Sequence, residues 1–456
     1  MSTRAGRVFG SSVVLVLSGA AGMAAQAQSS APPRLTLDSA IAGALATHPA
    51  LVGARAAVDR AEAGRVDARA GWLPSLSLDA SLMRYQDPMV VAPLHGFNPQ
   101  NPASLPLFAR TLAQGGLGLA WMVFDGARGA RNGRARWQEQ AAEASADGAR
   151  QQVLADVARA FLQVGSTREV LDAHDRQVAA LTSERDRAAK VLAQGRAARV
   201  TLLRAEAGLA QAQAEREAAR MDVEVAERDL ARLMGVGAER VVGAPLAPLH
   251  PAHAPLVSRD TLQLMAGINN PDVSALVRQE RAARAGIGET RALWLQRVQL
   301  VGRLAQYGSN DFSPTREWQG GLQFSYPLFT GGARIAAGER ADADVRAARA
   351  SLAQAQLRLA SGVDEALGSV SSAGARVQAL ETAVAQAVEV ARIEKLALDA
   401  GSGVQTDYLT AEAQLLSVRA SLTQARAAEA AARIELARLT GELSPDWLRA
   451  NLESQR

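Results

Sequence analysis

The side chains that ordinarily carry chemistry are sparse in this chain and poorly placed for it. Its five histidines, His48, His95, His174, His250 and His253, show no metal-ligand spacing, and His250 and His253 share a proline-rich stretch. Cysteine is absent, which removes disulfides, thiolate metal sites and a lipidated N-terminal cysteine together. No phosphate-cradling glycine loop, nucleophile elbow or acid pair on a defined scaffold occurs. The chain is therefore expected to be no enzyme and to use neither metal nor cofactor. What remains is passage and recognition, and these depend on the elements that shape a surface.

The N-terminus runs from Arg4 and Arg7 through the apolar stretch Val13 to Leu17 and reaches Ala25-Gln26-Ala27. That order of charged, greasy and small residues predicts a secretory signal over residues 1–27. Beyond it no segment approaches the roughly 18 uninterrupted apolar residues of a spanning helix, so any membrane-inserted part must be strands. Aromatic residues make up only 4% of the 456 positions, fewer than large compact cores use, while Ala, Arg, Gln and Glu crowd the middle of each half. Such composition suits long, closely packed helices. The 50 basic and 46 acidic residues are interspersed, so the net charge of +4 reads as solvated helix faces and no nucleic-acid partner is expected.

The chain repeats itself. One register lays His48-Pro49 on Asn270-Pro271 and Trp72-Leu73 on Trp294-Leu295. A second, shorter register lays Gly195 on Gly401, Ala205-Glu206-Ala207 on Ala411-Glu412-Ala413, and Leu-Ala-Arg-Leu-x-Gly ending at Gly235 on the same string ending at Gly441. Shared alanine richness gives scattered matches, not glycines and leucines in one register, so a two-fold internal repeat is expected. The change of register places extra residues in the first half, in the Pro- and Asn-containing stretch 87–106, read as an exposed loop. The repeats are then 28–235 and 260–443, joined by a proline-rich linker at 236–259 and followed by a C-terminal tail at 444–456.

Each half shows the same order of elements. A helical segment comes first, at 38–72 and 260–295, with Asp38 and Asp260 as expected N-caps. A strand pair follows: Leu76, Leu78, Ala80 and Leu82 alternate with smaller or polar residues, as do Leu117, Leu119 and Trp121. In the second half Val298, Leu300 and Leu304 lead to a turn at Ser309-Asn310-Asp311, and Leu322, Phe324 and Tyr326 return. Trp121, Phe124, Tyr326 and Phe329, near the strand ends, are candidate membrane-interface anchors, although packing at a strand-to-helix junction would place them equally well. Then the period becomes seven. Val363, Val370, Val377, Val384, Ala391 and Leu398 predict one coiled-coil seam, and Val157, Val164, Leu171, Val178, Arg185 and Leu192 its counterpart, broken only at Arg185. Each helix turns back near Gly195 or near Gly401-Ser402-Gly403. Four strands per chain close no barrel, so the strands imply assembly of more than one copy.

The chain resembles the TolC-like outer-membrane factors from Leu35 to Leu443. The residues that carry the resemblance are Leu37-x-x-Ala40-Ile41-x-x-Ala44-Leu45 with His48-Pro49, Trp72-Leu73-Pro74, Phe124-Asp125-Gly126-x-Arg128, Pro327-Leu328-Phe329-x-Gly331-Gly332-x-Arg334, Leu409-x-Ala411 and Leu439-x-Gly441. Their order and duplication make a set of individually weak matches specific. The resemblance implies an α+β membrane protein: a homotrimer whose four strands per chain build a 12-stranded transmembrane β-barrel in outer-membrane lipid, above a periplasmic tunnel of coiled-coil helical hairpins. It implies a passive exit duct of a tripartite efflux or type I secretion system, joined by a periplasmic adaptor (membrane fusion) protein to an inner-membrane pump or ABC transporter. Small-molecule efflux and secretion of a polypeptide both fit. A periplasmic coiled-coil adaptor or scaffold also shows long heptads, but the strand pair before each hairpin argues against one.

The resemblance also implies sites. Asp407 matches an aspartate lining the periplasmic mouth, and Thr410 stands where the pattern has a second one; an acid in the first turn of a helix is equally favoured by the helix dipole. Gly195, Gly401 and Gly403 are implied as adaptor-contacting tips, and chain reversal alone also calls for glycine there. Two positions depart from the pattern. His48 replaces the usual Asn, and Gln296 follows Leu295 where the first half has Pro74.

Overall fold

The computed structural model describes residues 34–91, 100, 107–249, 255, 257–309 and 312–452. The expected export signal at 1–27, most of the loop expected at 87–106, and His95, His250 and His253 lie outside the described residues. The first half runs α1 (Leu37–Thr47), α2 (Pro49–Ala70), β1 (Ser75–Val91), β2 (Leu107–Asp125), α3 (Ala127–Ala193) and α4 (Arg199–Met234). The second runs α5 (Arg259–Asn269), α6 (Pro271–Ala292), β3 (Arg297–Ser309), β4 (Phe312–Ser325), α7 (Ala333–Asp399) and α8 (Gln405–Leu439), and α9 (Pro445–Leu452) follows.

The helical segments expected as single rods at 38–72 and 260–295 are each broken in two. Pro49 and Pro271 cause the break: a residue before proline is pushed out of the helical region, and His48 and Asn270 both have extended ψ, at 125° and 121°. Each of these residues then caps the helix it precedes. His48 Nδ1 accepts from the Ala50 amide at 3.3 Å. Asn270 Oδ1 accepts from Asp272 and Val273, and its amide donates to the Leu439 carbonyl at 3.1 Å. Asp38 and Asp260 are not the N-caps expected of them. Thr36 and Ser258 hold that place, since their side chains accept from Ser39 and Thr261, and the two aspartates occupy the first turn, where the dipole favours them.

Two further stretches are more ordered than expected. The tail at 444–456 contains α9, whose Leu448 and Leu452 are buried and whose Arg449 pairs with Asp38 at 2.8 Å. The linker at 236–259 is tied down within its described part. Val241 is fully buried, Leu35 and Leu246 form a parallel bridge, and Arg168 binds both the Glu227 carboxylate and the Ala244 carbonyl.

The four strands form one antiparallel sheet in the order β1-β2-β3-β4, so the two halves meet at β2 and β3. Below it, α3 and α7 have 67 residues each, about 100 Å at about 1.5 Å per residue. Near the sheet α3 lies between α2 and α6; farther down it lies between α4 and α8. α7 packs on α6, α5 and α8. The seven-residue seam of α7 is buried as its period predicts, at Val363, Val370, Val377 and Ala391, and its counterpart in α3 is buried at Val157 and Val164. The main core forms midway along the rods. There Leu37, Ile41 and Ala44 of α1 meet Val153 to Val164 of α3, Leu230 of α4, Ile434 of α8 and Leu448 of α9. Among the described residues no single helix is long and apolar enough to cross a membrane. The bent pair α1–α2 approaches that composition, but α1 buries its apolar side in this core.

Candidate functional site

The sheet separates its side chains by character. Residues paired across neighbouring strands share a face, and alternate residues along a strand take opposite faces. One face carries the rows Leu78–Leu117–Leu304–Trp318 and Trp121–Leu300–Leu322, with Leu76 beside Leu119 and Val298 beside Phe124 and Phe324. The other carries Ser77–Gly118–Arg303–Gln319 and Asp79–Gly116–Ala305–Glu317. Large apolar side chains on the first face stand open, with Leu78 79% and Trp318 79% exposed. On the second, Arg303 reaches across β2 to Asp79 at 2.8 Å. Two glycines of β2 lie beneath this face: a Cβ on Gly116 would lie 3.2 Å from the Leu304 carbonyl oxygen, and one on Gly118 would lie 2.6 Å from Ser77 Oγ. The polar face is thus lined with small residues and bridged by one ion pair that stays hydrated.

β1 and β4 each pair on one side only. The sheet thus presents one apolar face, one polar face and two edges with a single neighbour strand each, and in lipid every strand must find a partner.

At the foot of the sheet the candidate aromatic anchors separate. Trp121 lies within β2 and donates from its indole to the Trp72 carbonyl at 3.0 Å. Phe124 also lies in β2, near its end. Tyr326 and Phe329 lie beyond the end of β4, in the turn leading to α7; Phe329 is 88% exposed, and the Tyr326 ring lies under Arg334. Trp72 and Trp294, two residues beyond the ends of α2 and α6, join these aromatics, whereas Trp318 lies in the middle of β4 opposite Leu304. Their repeat-equivalent places, each two residues short of a strand, were visible in the sequence for the first two. Trp318 follows charged neighbours and carried no such signal.

At the opposite end the hairpins reverse at Gly195 and Gly401. Both have left-handed φ, 72° and 77°, a conformation that glycine adopts without steric cost. Gly403 serves a different need. Its amide donates to the Ala397 carbonyl at 2.8 Å, and a Cβ there would meet the Leu398 nitrogen at 2.8 Å. Asp407 occupies the first turn of α8 and is exposed, and among the described residues no ion pair holds it. Thr410, also exposed, spends its hydroxyl on the Thr406 carbonyl at 2.8 Å.

Beside them lies a cluster that sequence reasoning missed. Arg187 of α3 stands 3.9 Å from both Glu184 and Asp399, the latter on α7, and so links the two hairpins near their tips. Tyr408 is half-buried against the same acids. Burial first, then Glu412, Glu184 and Asp399, hold its hydroxyl above the usual phenol range. No periodicity marks such a cluster, because its members come from three helices.

Comparison with known proteins is consistent across sequence and fold. The family model described as outer membrane efflux protein matches residues 40–236 and 264–442. BepC, an outer membrane efflux protein of Brucella suis biovar 1, is 25% identical over 386 residues, covering 80% of this chain and 82% of BepC. AprF of Pseudomonas aeruginosa, an alkaline protease secretion protein, is 28% identical over 242 residues, about half of either chain at 51% and 49%. Among solved structures, the outer membrane protein VceC of Vibrio cholerae superposes with a TM-score of 0.73 at 22% identity, over 89% of this chain and 96% of that one. The CmeC outer membrane channel of Campylobacter jejuni does so with a TM-score of 0.76 at 16% identity, over 89% and 85%.

Proposed function

The chain belongs to the outer membrane efflux protein family and resides in the outer membrane with an extension into the periplasm, and from that premise we propose that three copies close into one passive exit duct. The observation that carries the proposal is the sheet: open at both edges, apolar on one face and polar on the other. Three copies of a four-stranded sheet give twelve strands, within the range of about 8 to 26 in which closed barrels occur. The β1 edge of one copy pairs with the β4 edge of the next. Leu76, Leu78, Trp318 and Leu322 then face lipid, while Ser77, Asp79, Arg303 and Gln319 line the bore.

The helices continue the passage below. The side of α7 left uncovered within the chain packs on α2 and α4 of the neighbouring copy, so that the rods form a tunnel. At its mouth three copies of Asp407 converge, with Thr410 on the same helix. Three like charges at close range repel one another and attract cations, which makes Asp407 a selectivity element, and the Arg187–Asp399 contact holds the mouth narrow. The tips at Gly195, Gly401 and Gly403 meet a periplasmic adaptor, and an inner-membrane pump or ABC transporter supplies the energy. The likeness to BepC over most of both chains favours small-molecule efflux. The likeness of half the chain to AprF favours polypeptide secretion as a second reading.

Single-channel recording of the purified protein in planar bilayers tests the duct. Discrete cation-selective openings, with selectivity reduced in Asp407→Ala, are expected. Openings unaltered by Asp407→Ala would retire the residue as a selectivity element, and failure of folded protein to insert would remove the duct itself. Cells deleted for the chain separate the cargo readings, since loss of an efflux duct raises intracellular dye retention, whereas loss of a secretion duct leaves it unchanged and retains a polypeptide.

A further inference from the structure

Passage through the duct makes no use of the two arginines that open the long rods. Arg128 is the second residue of α3 and Arg334 the second of α7. Their relative exposures are only 5% and 6%. The Arg128 guanidinium stands 5.2 Å from the centroid of Trp72, and that of Arg334 stands 4.9 Å from Trp294 and 5.6 Å from Tyr326. In both residues Nε and Nη2 are sealed from solvent and have no hydrogen-bond partner. Among the described residues no carboxylate pairs with either. The nearest acid in the chain to Arg128, Asp125, is engaged by Arg131 and by the Ala127 amide.

This placement is unfavourable in three respects at once. A buried cation ordinarily has a counter-charge. A buried N–H ordinarily has an acceptor. A helix N-terminus carries partial positive charge, so a cation in the first turn is repelled where an anion would be held. Neither helix has a side-chain cap from its N-cap residue, because Gly126 and Gly332 stand there. The rings offset part of the cost through cation–π attraction but accept none of the N–H groups. Since the same set recurs in both halves, one misplaced side chain does not account for it.

A planar fork of unpartnered donors at a helix N-terminus is the arrangement that recognises a phosphate group. Both forks lie at one level, where β1 and β3 begin just after Trp72 and Trp294 and β2 and β4 have just ended. That level is the periplasmic limit of the apolar sheet face. We propose that Arg128 and Arg334 anchor two phosphate sites per chain, each taking the phosphodiester headgroup of a phospholipid in the periplasmic leaflet. Trp72 and Trp294 are half exposed, and rotation of either indole uncovers the fork. The sites fix the depth of the barrel at the junction of sheet and rods. This assignment rests on the outer-membrane reading, which puts the leaflet at this level.

Native mass spectrometry of the detergent-purified protein, titrated with phosphatidylglycerol and separately with inorganic phosphate, tests it. Retained phosphatidylglycerol is expected on the unsubstituted protein, with affinity about tenfold weaker in the double variant Arg128→Gln, Arg334→Gln, the scale of a lost charge-assisted fork. The pair Arg128→Lys, Arg334→Lys keeps the charge without the fork and is expected to fall between. If the Gln pair does not fold, the Lys pair decides, and affinity unchanged in a folded variant overturns the proposal. Displacement of lipid by inorganic phosphate supports the same forks with the free anion as their occupant. The spectra also report assembly: a trimer that retains neither probe overturns the phosphate sites alone, whereas a chain that never assembles overturns the duct.

Discussion

The two long rods have the same length and opposite surroundings. α3 is flanked on both sides along its course, by α2 and α6 near the sheet and by α4 and α8 below, and its middle forms the main core with Val157, Phe161 and Val164. α7 has in-chain neighbours on one side, and Ile335, Leu357, Ile393 and Leu396 stand exposed along it. The rods thus differ in what completes them. α3 is finished by its own chain, whereas α7 keeps a side that the proposed neighbouring copy covers, so the stability of the first is expected to be a property of the chain and that of the second a property of the assembly.

Substitutions that separate these two properties test the contrast. Phe161→Ala in the core of α3 is expected to destabilise the isolated chain by about 3–5 kcal/mol, seen as a lowered denaturation midpoint, whereas Leu357→Ala leaves that midpoint unchanged. Equal losses at both positions would mean that α7 has no free side. Leu357→Asp combined with Ile393→Asp is expected to cost assembly about 2–3 kcal/mol or more per buried polar group. Native mass spectrometry should then show monomer, while circular dichroism shows undiminished helix.

A smaller effect is expected where the rods meet directly near the tips. Arg187→Ala removes a half-exposed pair worth at most about 1 kcal/mol, so stability should barely change while the open time of single channels lengthens. Unaltered gating would sink the proposed role of the contact. The smallest effect concerns α5, which is clamped to α7 by Arg259 and Asp364 at 2.7 Å. The Arg259 hydrogen bond, aided by its charge and by Gln263, holds the Asp364 carboxyl below the usual carboxylate range. A depressed folded pKa contributes stability above the unfolded value of about 3.9 and loses it as pH falls through the lower folded value. The protection of α5 amides, corrected for the intrinsic pH dependence of exchange, is therefore expected to be constant from neutrality down to about pH 5 and to fall only in stronger acid. Asp364→Asn should remove that dependence, and a transition near neutrality would exclude Asp364 as its source.

Much of this architecture was legible before any coordinates. Period two placed the four strands, and period seven placed both seams, because each pattern records which side of an element is covered. The breaks before Pro49 and Pro271 were equally legible in principle, since proline constrains the preceding residue, but the apolar spacing runs through them and suggested one rod. Thr36 and Ser258 were obscured by Asp38 and Asp260 two residues on, which suit the helix start through charge rather than through capping. α9 carried a usable signal in Ser444, whose hydroxyl accepts from the Trp447 amide at 3.1 Å. The Arg187 cluster carried none, because it depends on side chains brought together from separate elements, whereas the repeated Gly-x-Arg at Arg128 and Arg334 marked their places but not the rings that bury them.

The equal length of α3 and α7, 67 residues each, makes the pair a matched gauge. Both rods start just after the sheet and end at glycine turns, so the length of each sets the depth of its own tip. Removing a heptad from one rod alone would raise its tip by about 10 Å relative to the other. Removing a heptad from both would shift the two tips together, so the number of turns in the rods sets how far the protein extends into the periplasm.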